Sequence, residues 1–396
     1  MEAHFDAESR GLRESARAAV EALLAYCARE NWAGYDPYDA LNSRLFGASP
    51  FSRSKIARLV FTQGMKRLPI NLRPVLLVPK EENPKACALF CSGLMRLTSC
   101  GILEDDGVAA AMVERLVELR SQGRPYYCWG YNFDWQNRGS LVPKYSPNII
   151  CTTFAGNALL DAFERDRRQD RMTAAVSAGE FLIKGLNTTI ASDGICLSYT
   201  PLDRSQIHNA NLLGAAFIGR LSELTGRKDF RDVALRATMF SLHRQSPDGS
   251  WPYGEEKEQA WIDNFHTGYN LVALRKLADV LHDGTVTESL ERGLDYYVNH
   301  LFCADGVPKY FSDRRWPIDI HCVAQSIITL CELAPLFRGA MPLARKLCLW
   351  ALENMQSSGG YFYYQRTRFF TNRIPYMRWS QAWMLNALAA ILSSLP

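Results

Sequence analysis

Apolar residues in the second half of the chain come in blocks opened by polar residues, and the blocks return at a nearly constant interval. Four of them are HNANLLGAAFIGRL from His208, DNFHTGYNLVALRKL from Asp263, DIHCVAQSIITLCEL from Asp319 and RWSQAWMLNALAAIL from Arg378. Within each block apolar positions recur three and four residues apart, which is the pattern of a helix face turned to a core. Ahead of each stands a turn dipeptide: Asp193-Gly194, Asp248-Gly249, Asp305-Gly306 and Gly359-Gly360, in steps of 55, 57 and 54 residues. Glycine reaches positive φ at no steric cost, so these are tight turns. Tyr199, Tyr253, Tyr310 and Tyr364 follow them at the spacing of a short strand. Two earlier blocks, NPKACALFCSGLMRL from Asn83 and SPNIICTTFAGNALLDAF from Ser146, lack the full turn signal and extend the series to six.

Amphipathic segments lie between the blocks, at roughly 108–121, 170–186, 229–244, 286–301 and 339–355, with a sixth near 10–30. A period in the fifties with two helices per unit means a repeat architecture. Six polar-opened inner helices alternating with six outer ones predict an all-α fold: an (α/α)6 toroid of six helical hairpins with short β-hairpin loops at the mouth. Closure into a ring leaves no end repeat in need of a cap. The repeat region spans about 83–396, N-terminal helices within 10–67 complete the ring, and 1–396 reads as a single domain. Residues 1–9 are expected to be loose, the passage WAGYDPYDALNSRLFGASP to be a plain connection, and residues 51–67 to be helical.

Composition narrows the function classes without choosing one. The 396 residues are 47% hydrophobic and 22% charged with a net charge of +4, as in an ordinary globular protein, and no basic run interleaved with aromatics points to nucleic acid. No stretch has the eighteen continuous apolar residues of a membrane span, and the start, MEAHFDAESRGLRESAR, is polar where a signal peptide would be apolar. A cytoplasmic protein is expected. Eleven cysteines without CxxC spacing read as buried thiols; Cys87 and Cys91 share a helix face but have no histidine nearby in sequence. Neither GxxxxGK[ST] nor GxGxxG after a strand occurs, nor HxH or HExxH, so no nucleotide, cofactor or metal is expected. Oligomeric state is not legible.

Candidate chemistry gathers where the inner helices begin. His208, His266 and His321 stand in first turns, together with Asn209, Asn211, Asp263, Asn264 and Asp319. In a toroid these starts share one mouth. The histidines read either as caps and hydrogen-bonded core groups or as acid–base catalysts. Asp263 and Asp319 read either as N-caps or as the carboxylate pair of a glycoside hydrolase. The loop GRPYYCWGYNFDWQNRGSLVPKY interleaves Trp129, Tyr131 and Trp135 with Asn132, Asp134, Asn137 and Arg138. Ring faces beside amides and carboxylates suit a sugar, which stacks its C–H faces and hydrogen-bonds its hydroxyls. Later loops add Trp251, Tyr253, Tyr310, Arg314, Arg315, Tyr363, Arg366, Arg373, Arg378 and Trp379. Arginines at one mouth suit a carboxylate or phosphate.

The stretch FSLHRQSPDGSW at 240–251 resembles the glutamine-tryptophan repeat of terpene cyclases, and QSSGGYF at 356–362 is a weaker example. There the motif ties hairpins together. The acidic DxDD motif of squalene-hopene cyclases is absent. The whole repeat region is similar to toroid proteins of carbohydrate metabolism: polysaccharide lyases, glucuronyl C5-epimerases, unsaturated glucuronyl hydrolases and N-acylglucosamine 2-epimerases. DGSWPYG followed by WIDNFHTGYNL resembles toroid proteins encoded with bacterial polysaccharide-biosynthesis genes. Asn264, His266, Tyr253 and Arg378 match by type the set that toroidal lyases place around one cleft. The resemblance implies an enzyme acting on an acidic oligosaccharide or polysaccharide precursor. Its arginines would neutralise a uronate carboxylate and His266 or Tyr253 would remove the C5 proton, giving an epimerase or a lyase. The alternatives are a glycoside hydrolase using Asp263 and Asp319, and a glycan-binding protein without catalysis.

Overall fold

The computed structural model describes residues 2–104, 107–136 and 140–395. Asn137 and Arg138 of the aromatic loop lie outside the described residues. The helices in chain order are α1 (Glu2–Arg29), α2 (Arg44–Ala48), α3 (Lys55–Arg67), α4 (Pro84–Ser99), α5 (Val108–Glu118), α6 (Ile149–Asp166), α7 (Gln169–Glu180), α8 (His208–Thr225), α9 (Lys228–Leu242), α10 (Asn264–Leu281), α11 (Gly284–His300), α12 (Ile320–Glu332), α13 (Ala340–Met355) and α14 (Trp383–Ser394). Short antiparallel strands accompany them: β1 (Trp135–Gln136) with β2 (Leu141–Val142), β3 (Thr188–Ala191) with β4 (Gly194–Leu197), and β5 (Ile318–Asp319), β6 (Gln365–Arg366) and β7 (Thr371–Asn372) in that order.

Helices α4, α6, α8, α10, α12 and α14 pack each against the next, and α14 packs against α4, so the inner ring closes. Helices α5, α7, α9, α11 and α13 each back the inner helix before them, and α1 lies against α13 and α14. The fold is an (α/α)6 toroid. The inner helices begin where the sequence placed polar openings: Asn83, Asn148, Asp263 and Asp319 accept first-turn amide N–H groups of α4, α6, α10 and α12.

The turns repeat atom for atom. Gly249 donates to Ser246 O and Ser246 to Ser250 O; Gly306 donates to Cys303 O and Cys303 to Val307 O; Gly360 donates to Ser357 O and Ser357 to Tyr361 O. Only at Asp193-Gly194 does the turn extend into a hairpin, β3–β4; at 302–308 and 356–362 it is closed by a single bridge. The tyrosine after each turn then reaches back to the preceding hairpin. Tyr199, Tyr253, Tyr310 and Tyr364 accept, through their carbonyls, the amide N–H of Ile149, His208, Asn264 and Ile320, the first residues of α6, α8, α10 and α12. The last inner helix uses the N-terminal segment in the same way, Met377 N–H donating to Tyr35 O at 3.0 Å.

Gln245 and Trp251 tie hairpins as the resemblance implies. Gln245 Nε2 donates to Ser289 O of α11 and to Gly249 O, both at 2.9 Å, and Trp251 Nε1 donates to Ser241 O of α9. Gln356 repeats the tie across the closure, donating to Ala19 O of α1 and to Gly360 O.

Two expectations about the N-terminal segment are corrected. Helix α1 begins at Glu2, not near residue 10. Helices α2 and α3 are not ring members: α3 packs on the 39–42 and 50–53 turns and on β1, across the mouth, because the ring already has its sixth outer helix in α1.

At the closure Gly360 sits at φ +91°, and a Cβ there would stand 2.2 Å from Ala22 O of α1. Gly360→Ala should therefore lower unfolding stability by about 2–3 kcal/mol. Gly359→Ala, whose Cβ would meet nothing closer than 3.4 Å, should cost far less. Urea titrations of both variants measure the difference, and equal midpoints would show that closure does not depend on this contact.

Candidate active site at the toroid mouth

Asp263, the cap of α10, accepts the His266 amide N–H at 3.0 Å on Oδ1; its Oδ2 lies 2.7 Å from His266 Nδ1 and accepts the Trp261 indole N–H at 3.2 Å. With Nδ1–H given to the carboxylate, the neutral ring has its lone pair on Nε2. His266 is 21% exposed and lines a narrow cleft with Trp251, Tyr253 and Trp261. Tyr253 forms one wall, stacked on Trp261 at 4.7 Å and 4.5 Å from the imidazole. Asn209 and Asn270 line the same cleft, and the Oδ1 atoms of both are buried with no hydrogen-bond donor. Two orphaned carboxamide oxygens beside a free imidazole nitrogen cost stability unless a ligand supplies the donors.

A second group lies behind this cleft. His321 stacks on Phe265 at 4.7 Å and on Trp383 at 4.6 Å, with its Nε2 2.5 Å from the Tyr269 hydroxyl. Burial, then the charges of Lys85, Arg378 and His266, hold the imidazole well below its usual range, so it is neutral. Burial pushes Tyr269 well above 10, so the phenol donates and His321 Nε2 accepts. Lys85 of α4 is enclosed by Phe154, Trp383 and Tyr269, its Nζ 4.5, 5.0 and 5.5 Å from their ring centres. Burial, then Arg378, pushes it down to about 7. No described carboxylate lies within ion-pair distance of it. Arg378 differs: Asp36 grips it at 2.6 and 2.8 Å, and this attraction outweighs the burial that opposes its charge.

The two candidate carboxylates are dissimilar. Asp319 is fully buried and both oxygens are occupied: Oδ1 by the His321 N–H and the Trp379 indole, Oδ2 by Gln365. Burial pushes it up to about 6, despite those donors. It is a cap with no oxygen left for a glycosidic bond. His208 is likewise engaged, with Nε2 2.8 Å from Glu255, and so are Asn211, on Leu197 N–H and Ala237 O, and Asn264, on Leu301 O and the Tyr297 hydroxyl.

The aromatic and cationic loops divide. Tyr131, paired with the Tyr199 hydroxyl at 3.1 Å, and Trp379 face Arg378, and Trp135 meets Tyr199 edge-on. Trp129 is instead buried between helices, its indole donating to Leu116 O, because an indole N–H out of water needs an acceptor. Trp251 borders the cleft while tied to Ser241 O. Asn132 is held by Asn83 and Asp134 by the Lys144 amide. Tyr310 packs edge-on to Phe265. The cations expected to converge do not: Arg314 pairs with Asp313, Arg315 with Asp305, Arg366 with Asn354 at 2.5 Å, and exposed Arg373 lies over Tyr363. Tyr253, the other expected base, has its hydroxyl pushed well above 10 by burial.

Sequence reasoning missed Lys85, Tyr269, Asn270, Trp261 and Asp36. A signal existed for two of them. Lys85 stands two residues after its Asn83 cap as His321 stands two after Asp319, and Tyr269 lies one turn beyond His266. Asp36 lies in a passage read as a plain connection. Among the described residues no group of three or more His, Cys, Asp or Glu side chains is placed to hold a metal ion.

No family model matches the chain, and no curated protein matches it. Solved structures do. The Lin0763 protein from Listeria innocua superposes with a TM-score of 0.63 at 11% identity, covering 96% of each chain. Cellobiose 2-epimerase from Spirochaeta thermophila gives 0.61 at 11% identity over 79% of this chain and 85% of its own. An unsaturated glucuronyl hydrolase specific for heparin gives 0.60 at 13% identity over 96% of each. At such identities the likeness is one of fold, and the chain shares the (α/α)6 toroid with these proteins.

Proposed function

We propose that this protein is a carbohydrate-active enzyme that removes the C5 proton of a uronate-containing saccharide, with His266 as base and epimerisation as the outcome. The observation that carries this is the Asp263–His266 pair: an imidazole whose Nδ1 is fixed by a carboxylate and whose Nε2 is unpaired, beside the orphaned oxygens of Asn209 and Asn270. Those oxygens suit sugar hydroxyls, and the Tyr253–Trp261 stack offers a flat face to a ring. Solved toroids of similar fold include a cellobiose 2-epimerase, a D-mannose isomerase and an unsaturated glucuronyl hydrolase, so the choice rests on the site. The likeness of DGSWPYG and WIDNFHTGYNL to biosynthesis-cluster toroids supports a place in polysaccharide biosynthesis.

Nε2 takes the C5 proton, and the electron pair moves into the uronate carboxyl, which becomes an enediolate. Lys85, which pairs with no described carboxylate, favours that dianionic state over the ground state when it carries its proton. The Tyr269–His321 pair stands apart from His266, with ring centres 6.1 Å between Tyr269 and His266. In this reading the pair returns a proton to the other face, which inverts C5. Expulsion of the C4 substituent from the same enediolate would give the lyase outcome. Hydrolysis by Asp263 and Asp319 is disfavoured because Asp319 is sealed.

In D2O, wild-type protein should incorporate deuterium at C5 within a panel of uronic-acid oligosaccharides, and His266→Gln should lower the rate by about 10²–10⁴-fold. Asp263→Asn keeps an acceptor for the His266 amide but removes the charge on Nδ1, so exchange should fall at least tenfold with little change in melting. Release of reducing ends without exchange would establish hydrolysis; saccharide binding with neither reaction would establish a binding protein.

Lys85 makes a separate prediction. Its pKa falls from 10.5 to about 7 on folding, so between those values the unfolded chain holds the extra proton. Stability should rise with pH across that window, by up to about 1.4 kcal/mol per unit from this group. Chemical denaturation at pH 7.5 and 9.5 should show that part of the rise lost in Lys85→Met; an unchanged slope would show that Lys85 is not buried as a titrating group.

A further inference from the structure

Between Asp39 and Glu81 the chain contains no acidic residue and eight Lys or Arg. This same stretch, which crosses the mouth, is unusually apolar on its outer surface. Of the seven large apolar side chains exposed beyond 60% among the described residues, five are here: Phe51, Ile56, Val60, Ile70 and Val75. A sixth, Phe369 at 85%, belongs to the β6–β7 turn, which is joined to the end of α3 by Asn372 Nδ2 donating to Leu68 O at 3.1 Å. Helix α3 faces both ways. Thr62 and Met65 are buried, Phe61 stacks on Phe46, and Lys66 reaches Tyr38 and lies over Trp379 of the site. On the opposite side Ile56 and Val60, four residues apart, form an apolar stripe with Arg67 at its end.

Exposed Arg44, Arg53, Lys55 and Arg67 border this surface, and no described carboxylate pairs with them. Arg368 beside Phe369 adds a further exposed cation. Apolar anchors ringed by unneutralised cations are what an interfacial segment presents to anionic lipid, and a soluble surface rarely keeps them together. No described helix is long and apolar enough to cross a membrane, so the contact is with a surface. We propose that residues 44–77 and the β6–β7 turn dock this protein on an anionic membrane surface, with the toroid mouth turned towards the bilayer. The charge pattern selects this occupant: a second copy of the chain would bring the same cations against themselves. The proposal stands independently of the chemistry assigned to His266.

Co-sedimentation of the full chain with vesicles tests it. Binding is expected to phosphatidylcholine vesicles containing about a third phosphatidylglycerol, with little to pure phosphatidylcholine, and should weaken as salt rises. Ile56→Ser with Val60→Ser, and separately Phe369→Ser, alter only exposed side chains and should each reduce bound protein several-fold while circular dichroism and melting stay unchanged. Arg53→Gln with Lys55→Gln should do the same and flatten the salt dependence. Three results would overturn the proposal: no binding to the anionic vesicles, binding that all these variants retain, or a wild-type dimer in solution that the Ile56 and Val60 substitutions convert to monomer.

Discussion

Everything at the mouth depends on how the first turn of each inner helix satisfies its amide groups. These N–H groups have no partner within their own helix, and here they point into a protein interior. The toroid answers from two sides. A side-chain cap, such as Asn83 or Asp263, takes one or two of them, and the carbonyl of the turn tyrosine from the next unit takes the first. The hairpins of α6, α8, α10 and α12 thus draw on their successors to complete a helix start, and Met377, in the turn that leads into α14, takes Tyr35 O; α4 opens on Pro84, which has no N–H to satisfy. The same bonds bring the tyrosine rings and the first-turn side chains to one end of the barrel, where the candidate chemistry sits.

Charge at that end is handled unevenly. Arg378 with Asp36, and Arg73 with Asp39 at 2.6 Å, are buried ion pairs. Such pairs add little net stability, yet losing one partner leaves a buried charge uncompensated, so they fix position strongly. Both carboxylates lie in the short segment 36–39, which is thereby stapled to the ring beneath α3. Lys85, nearby, has no such partner. A buried cation left unpaired among rings is costly, and an anionic ligand would relieve that cost.

Asp263 and Asp319 show how equivalent repeat positions take different roles. Both cap a helix, and both accept an indole N–H. Asp263 has a histidine three residues on, close enough for the side chain to meet the carboxylate. At Asp319 the histidine stands two residues on and its ring turns to Tyr269 instead. One residue of spacing separates a carboxylate–imidazole pair open to the cleft from a sealed cap.

The repeat itself was legible in the order of residues, because helix periodicity, turn glycines and caps are local demands that any such chain must write into its sequence. Six inner and six outer helices followed from it, as did the placing of His266 and Asp263 at one helix start; the hairpin-tying role of Gln245 came from the resemblance to the glutamine-tryptophan repeat. What the order of residues did not determine was which polar side chains would meet. Trp129 and Arg314 carry the right chemistry for a sugar cleft, but their partners, Leu116 O and Asp313, were chosen by packing and by the nearest opposite charge. Asp36 and Lys85 became central only when the chain closed on itself, bringing residues more than three hundred positions apart within 3 Å at Arg378. The exposed stripe on α3 was also invisible as such: periodicity marks an apolar face, and only the finished ring, already complete with α1, left that face turned outward.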